Sequence, residues 1–208
     1  MYTEILPSVY DITVQDDGDA RYRAFFVDAD VPTLVDTGLP DTTDALFEAI
    51  EAIGLEPERV IITHGDVDHV GGLEAVTERY DVETFVPEGT DDVDDALVDE
   101  YFGDGDGIGP YTAAHVPGHA SEHHVLIDED AGYAVLGDAV FGSDARGLPA
   151  GYFVLPTAFF SEDVAAADEN LERLLEYEFD AGLVFHGSSV RSGAFDKLAD
   201  FVDFAGKP

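Results

Sequence analysis

The chain has 208 residues, 45% of them apolar, with 46 acidic against 9 basic side chains and a formal net charge of −37; this length supports a large core and predicts one domain over residues 1–208. Cysteine is absent, which excludes disulfides, thiolate metal sites and thiol nucleophiles and leaves nitrogen and oxygen as the only metal donors. No apolar run approaches the roughly 18 residues of a membrane span, the N-terminus lacks an export pattern, and so few cations disfavour nucleic acid, so a cytoplasmic protein with a small-molecule substrate is expected.

Taken in order, Tyr10–Val14, Arg21–Val27 and Pro32–Val35 are short β-prone runs separated by Asp-rich turns. A helix follows, capped by Asp41 or Thr42, with Leu46, Ile50 and Ile53 on one face and Gly54 as its stop. Val60–Ile62 reads as a buried strand, Gly72–Tyr80 as a helix and Thr84–Val86 as a strand. Residues 88–110 read as a capped surface helix around Val93, Leu97 and Val98, then a flexible Gly103–Gly107 loop; a calcium loop is disfavoured because the Glu at its twelfth position is missing. Strands at Tyr111–Val116, His123–Asp128 and Tyr133–Leu136 lead into a Gly/Pro-interrupted loop from Val140 to Ser161. A helix over Asp163–Tyr177, a strand at Gly182–Phe185 and a Ser192-capped helix close the chain. Strands lead and helices follow in both halves, which predicts an α/β fold layered as an αβ/βα sandwich.

The segment Val60-Ile61-Ile62-Thr63-His64-Gly65-Asp66-Val67-Asp68-His69-Val70-Gly71-Gly72 places four donors in six residues, on the loop between a strand and a helix. There side chains can converge instead of alternating across a sheet. Imidazole and carboxylate donors suit zinc, iron or manganese, the carboxylates offsetting the charge of two divalent ions. Pro117-Gly118-His119, Gly137-Asp138 and Phe185-His186-Gly187 each add one donor directly after an apolar strand, so all four clusters are expected at one edge of the fold.

In order and interval these motifs resemble the five of the metallo-β-lactamase fold superfamily, over nearly the whole chain. Val35-Asp36-Thr37-Gly38 is similar to the first motif and His64-Gly65-Asp66-Val67-Asp68-His69 to the second. His119, Asp138 and His186 are similar to the third, fourth and fifth. The resemblance implies that His64, Asp66 and His119 hold one metal, that Asp68, His69 and His186 hold the other, and that Asp138 bridges them. It also implies a bridging water, its pKa lowered by the metals, as nucleophile, with Asp68 orienting it or carrying its proton. Asp36 would support the site, His123 would brace it, and Thr63 would serve the strand end. His115 would stand outside, because every metal position already has an occupant, and His124 would be a strand-face residue.

One departure matters: the second motif has His where this chain has Asp66. A harder, anionic donor shifts preference from zinc, the first expectation, toward iron or manganese. The short architecture looks like the glyoxalase II and lactonase branches, which implies hydrolysis of an ester, thioester or lactone. Asp66 keeps open a di-iron redox protein like the core of the flavodiiron proteins, though without their flavin domain. A non-catalytic metal-binding member is the third reading. Phe141, Arg146, Tyr152 and Phe153, in the loop past Asp138 that runs on to Phe159 and Phe160, are candidate substrate contacts; the same aromatics would serve equally as a homodimer surface. The dispersed acids, interleaved with 14 Phe and 9 Tyr, suggest a halophile, since at molar salt a Debye length of about 3 Å screens self-repulsion.

Overall fold

Apolar side chains recurring at every second position need a pleated surface, and near the N-terminus they find it in a meander. In the computed structural model, which describes residues 1–18 and 21–205, β1 (Tyr2–Leu6), β2 (Val9–Asp16), β3 (Arg21–Val27) and β4 (Thr33–Val35) pair antiparallel in sequence order. After α1 (Thr43–Ile53) the sheet continues in parallel through β5 (Arg59–Ile61), then past α2 (Val67–Val70) and α3 (Leu73–Arg79) to β6 (Glu83–Pro87) and β7 (Glu100–Phe102). Ile12, Phe26, Leu34, Val60 and Val86 from the strands share a core with Leu46 and Ile50 of α1 and Leu73 and Val76 of α3. Each such side chain contributes about 1.5–3 kcal/mol by leaving water. Gly54 ends α1 in the left-handed region, its N–H donating to the Ile50 carbonyl. A buried guanidinium is built into this sheet: Arg23, 1% exposed, places Nε 3.0 Å from Asp11 Oδ2.

Residues 1–102 and 103–208 are two compact units. The second begins with β8 (Gly107–Ile108), β9 (Tyr111–His115), β10 (His124–Asp128) and β11 (Tyr133–Gly137), again an antiparallel meander. A small hairpin, β12 (Phe141–Gly142) with β13 (Phe153–Val154), then α4 (Val164–Asn170) precede β14 (Ala181–Val184), which joins β11 in parallel; α5 (Ala194–Val202) is the last element among the described residues. Val125, Ile127, Leu136 and Val184 of the sheet pack with Phe153, Leu171, Leu174 and Leu198. In both units, then, a four-stranded meander is followed by a strand that pairs in parallel with its last member.

Several elements differ from the sequence expectation. β1 and β7 are edge strands; β1 is largely exposed along its length, so it carries little of the alternation by which strands are read. The expected surface helix in 88–110 shrinks to one 3-10 turn, Asp95–Leu97, capped by the Asp94 side chain. The Gly103–Gly107 loop is pinned, with the Gly105 N–H on the Ala113 carbonyl at 2.7 Å and the Gly103 N–H on Asp106 Oδ2 at 2.8 Å. The expected helix over Asp163–Tyr177 tightens after Asn170 into a 3-10 segment, Leu171–Glu176. The last helix is entered through Gly193, φ 63°, whose N–H is held by Asp180 Oδ1 at 2.7 Å, not through a Ser192 cap. Among the described residues no helix is long and apolar enough to cross a membrane.

Candidate metal centre

In the first unit the donors sit where β4 and β5 end side by side. Asp36 follows β4 in the left-handed region, φ 56°, and is fully buried. Its Oδ1 accepts the Thr63 N–H at 2.8 Å, and its Oδ2 accepts the Thr63 hydroxyl at 2.7 Å and lies 2.6 Å from His69 Nδ1. An ionised carboxylate only accepts, so His69 donates through Nδ1, and in the neutral imidazole the lone pair is on Nε2. Thr63 has one proton, given to Asp36, so its oxygen accepts from His64 Nδ1 at 3.0 Å; the lone pair of His64 is thereby also set on Nε2. Each Nε2 faces a carboxylate of the same loop, His64 toward Asp66 Oδ2 at 3.7 Å and His69 toward Asp68 Oδ2 at 3.8 Å, with the two rings 4.0 Å apart.

The tight course of this loop depends on Gly71 and Gly72. A Cβ on Gly71 would lie 2.4 Å from Pro40 Cδ and from the Val67 carbonyl, and one on Gly72 2.5 Å from the Thr37 carbonyl. Thr37 closes the loop from beneath: its N–H and hydroxyl both donate to the His69 carbonyl, and its oxygen accepts the Gly72 N–H. Sequence reasoning passed over this threonine although it lies inside the Asp-Thr-Gly motif.

In the second unit Asp138 follows β11 and His186 follows β14, while His119 lies in the turn between β9 and β10. Asp138 Oδ2 is 3.4 Å from His119 Nε2 and 3.3 Å from His186 Nε2, and the carboxylate is almost wholly buried. Ser161 donates its one proton to the Thr157 carbonyl at 2.9 Å, so its oxygen accepts from His119 Nδ1 at 3.2 Å and the lone pair of His119 falls on Nε2. No local signal marks Ser161, 42 residues away. The Asp138 N–H donates to His123 Nε2 at 2.9 Å, which commits that imidazole to holding the turn. Gly118, φ 138°, brings the His119 turn against α4, where a Cβ would be 2.1 Å from the Ala167 nitrogen.

The expected substrate residues fall into different surroundings. Phe141 packs its ring edge-on to His186 at 4.7 Å and to His119 at 6.4 Å. Phe153, on β13, is buried in the core of the second unit. Arg146 is tied to the Leu155 carbonyl at 2.9 Å, and the exposed Tyr152 has Lys197 Nζ 5.7 Å from its ring centre. His115 and His124 stack at 4.9 Å and bond the Ser121 and Glu122 carbonyls. Beside the first-unit loop, a cleft of about 500 Å³ is lined by the acids Asp66, Glu74, Asp92 and Asp94 among apolar side chains.

Comparison with known proteins agrees with this architecture. Residues 23–92 match the family model of the Metallo-beta-lactamase superfamily. YflN of Bacillus subtilis, a probable metallo-hydrolase, is 25% identical over 197 residues, covering 74% of this chain and 74% of its own. YybB of the same organism, also a probable metallo-hydrolase, is 41% identical over 61 residues, 29% of this chain and 27% of its own. A hydroxyacylglutathione hydrolase of Klebsiella pneumoniae is 29% identical over 106 residues, 49% of this chain and 41% of its own. The chain thus spans about a quarter to three quarters of the length of these relatives. Among solved structures, TTHA1623 in a di-iron-bound form has a TM-score of 0.66 at 22% identity over 86% of this chain and 92% of its own. The DIM-1 metallo-beta-lactamase has a TM-score of 0.72 at 16% identity over 96% and 94%. The chain has the metallo-β-lactamase fold, an α/β sandwich, and the family match together with these neighbours supports its placement in that superfamily of metallo-hydrolases.

Proposed function

We propose that the chain is a metal-dependent hydrolase of a neutral ester, thioester or lactone, with both units acting as one catalytic domain. His64, Asp66, Asp68, His69, His119, Asp138 and His186 would be the donors for two divalent ions. The observation that carries this reading is the set of contacts that three imidazoles make. Thr63, Asp36 and Ser161 fix the protons of three imidazoles on Nδ1, so three Nε2 lone pairs face carboxylate oxygens at 3.4 to 3.8 Å. In the neutral imidazoles these lone pairs and the carboxylates would repel without a cation among them, and neutral, Nδ1-anchored histidine is the form that ligates metal.

Ions bound there would polarise a carbonyl oxygen and lower the pKa of water. The chain's own share is positional. Asp36 and Thr63 hold two imidazoles in ligating orientation, His123 fixes the backbone of the Asp138 turn, and Phe141 packs edge-on against His186. Asp68 would take the proton of the attacking water on its carboxylate. The acids lining the neighbouring cleft would repel an anionic substrate, which favours an uncharged one. Zinc fits the imidazoles, while Asp66 favours iron or manganese beside it and keeps a di-iron redox protein as second reading; the neighbour TTHA1623 has a di-iron-bound form. The dispersed charge suits a cytoplasm at high salt.

The test is purification in molar salt without chelators, elemental analysis, and assay against an ester, thioester and lactone panel. Two bound ions with turnover abolished by Asp138→Ala is the expected result. Iron with visible absorbance and no hydrolysis would transfer the case to redox chemistry.

A further inference from the structure

We propose that Asp144 is a positioning residue: acting through Ser188, it holds the loop that presents His186 and so sets how tightly one of the two proposed ions is bound; this rests on the metal-dependent reading above. His186 follows β14, in a loop closed by Gly182 and Val190, each of which donates its N–H to the other's carbonyl at 2.8 and 2.9 Å. Its side chain is 16% exposed where that of His119 is 1%, so surrounding core fixes it less. Gly187, φ 77°, comes next. A Cβ there would lie 2.4 Å from the Gly142 carbonyl oxygen, and one on Gly142 2.4 Å from the Ser188 nitrogen. This close approach lets the Gly142 N–H donate to the His186 carbonyl at 2.8 Å. It also requires glycine beside the ligand, and glycine gives the backbone there more freedom than any other residue.

Asp144 takes that freedom back. Its Oδ1 accepts the Ser188 N–H at 2.7 Å and its Oδ2 the Ser188 hydroxyl at 2.7 Å. Two bonds from one residue to one carboxylate fix its orientation as well as its distance, and hydrogen bonds to an ionised acceptor are about twice as strong as neutral ones. The carboxylate itself stands on a braced support, the 3-10 turn Ser143–Arg146 after β12. The Gly147 N–H donates to the Asp144 carbonyl at 3.0 Å, the Ser143 hydroxyl to the Pro149 carbonyl at 2.6 Å, and Arg146 to the Leu155 carbonyl at 2.9 Å. Gly187 is thus gripped from both sides, at His186 by Gly142 and at Ser188 by Asp144. A metal ligand must be held within about 0.5 Å, and the turn after β12 supplies that constraint to His186 as Ser161 supplies it to His119.

Asp144→Ala removes both bonds to Ser188. Asp144→Asn keeps them, since its carbonyl accepts the N–H and its NH₂ donates to the serine oxygen. Asp180→Ala is the control, because it loses a 2.7 Å bond to the Gly193 N–H elsewhere in the same unit. Chelator-stripped wild type and the three variants are titrated with Zn²⁺ and, separately, Mn²⁺ against a chromophoric chelator, and are melted without metal. In Asp144→Ala one ion should bind about 10- to 100-fold more weakly and the other as in wild type, because a single Nε2 serves one ion. Asp144→Asn should retain most of the affinity, and Asp180→Ala should lower the melting temperature without changing either ion's binding. Equal binding by Asp144→Ala and wild type overturns the proposal, as does a loss that Asp180→Ala reproduces or that Asp144→Asn shares in full. A wild type that binds neither metal overturns the metal reading and the proposal together. Selective loss of one ion in a protein that hydrolyses no ester, thioester or lactone would defeat the hydrolase reading and leave the role of Asp144 standing.

Discussion

His69 Nδ1 lies 2.6 Å from Oδ2 of Asp36, a residue 33 positions earlier whose own backbone is held at φ 56°. A buried carboxylate and a strained turn thus fix the proton of one imidazole. In Asp36→Asn the amide tolerates the left-handed backbone, but its NH₂ would face the two donors, Thr63 and His69, that the carboxylate now accepts. The ring should flip its proton to Nε2. Metal affinity should fall about 10- to 100-fold with the fold retained; titration of chelator-stripped protein with Zn²⁺ reads this directly, and unchanged affinity would remove Asp36 from the site.

Restoring the usual histidine at position 66 changes one hard anionic donor to a softer neutral one. Protein carrying Asp66→His, expressed with zinc, iron and manganese all supplied, should show a higher zinc-to-iron ratio than wild type by elemental analysis. An unaltered ratio would mean that Asp66 does not select the metal.

How legible this was follows from where the signals lie. The seven candidate donors stand in short motifs beside glycine at strand ends, and both the motifs and the strands before them are local features. What supports the donors is not: Ser161 reaches His119 across 42 residues. Phe153 and Phe159 are chemically identical, yet one is buried in the core and the other 87% exposed, a difference set by long-range packing that no local pattern carries. Helix ends were misread for a related reason, since the Gly193 N–H is satisfied by Asp180, 13 residues earlier, where a local serine cap was expected.

The tight approach at Gly118 can be separated from ordinary glycine strain. Gly118→Ala would place a methyl 2.1 Å from the Ala167 nitrogen at φ 138°, whereas Gly105→Ala at φ 83° has nothing within 4 Å. The first should cost several kcal/mol and lower metal affinity through His119, and the second only about 1 kcal/mol. Urea unfolding of both variants checks this, and equal losses would contradict the packing account.

Asp11 accompanies a guanidinium that is 1% exposed. Asp11→Ala would withdraw a carboxylate 3.0 Å from that guanidinium, so a loss larger than that of an exposed substitution such as Asp130→Ala is expected. Chemical denaturation at fixed salt measures the difference, and a loss below about 1 kcal/mol would show the pair to be dispensable.

Burial first, and then the neighbouring His115, push the pKa of His124 below the ordinary histidine value, against the opposing pull of the Glu122 carbonyl. A base so depressed binds fewer protons folded than unfolded, so its contribution to stability is complete above about pH 6.5 and is lost as pH falls through the window beneath. Melting curves from pH 7.5 to 5 should therefore decline more steeply for wild type than for His124→Gln. Parallel curves would exclude His124 as a source of acid sensitivity.

The recurrence of a meander closed by a parallel strand has a consequence for how such a chain can diverge. Asp36 and Asp138 occupy the same corner of the two halves, one after β4 and the other after β11, and His64 and His186 follow the strands that pair beside them. Yet Asp36 has both oxygens bound to the polypeptide, while Asp138 presents its Oδ2 to two imidazoles. One corner has become masonry and the other a tool, with no change in strand order. Selection can therefore rewrite the chemistry of either half by altering what surrounds a single aspartate.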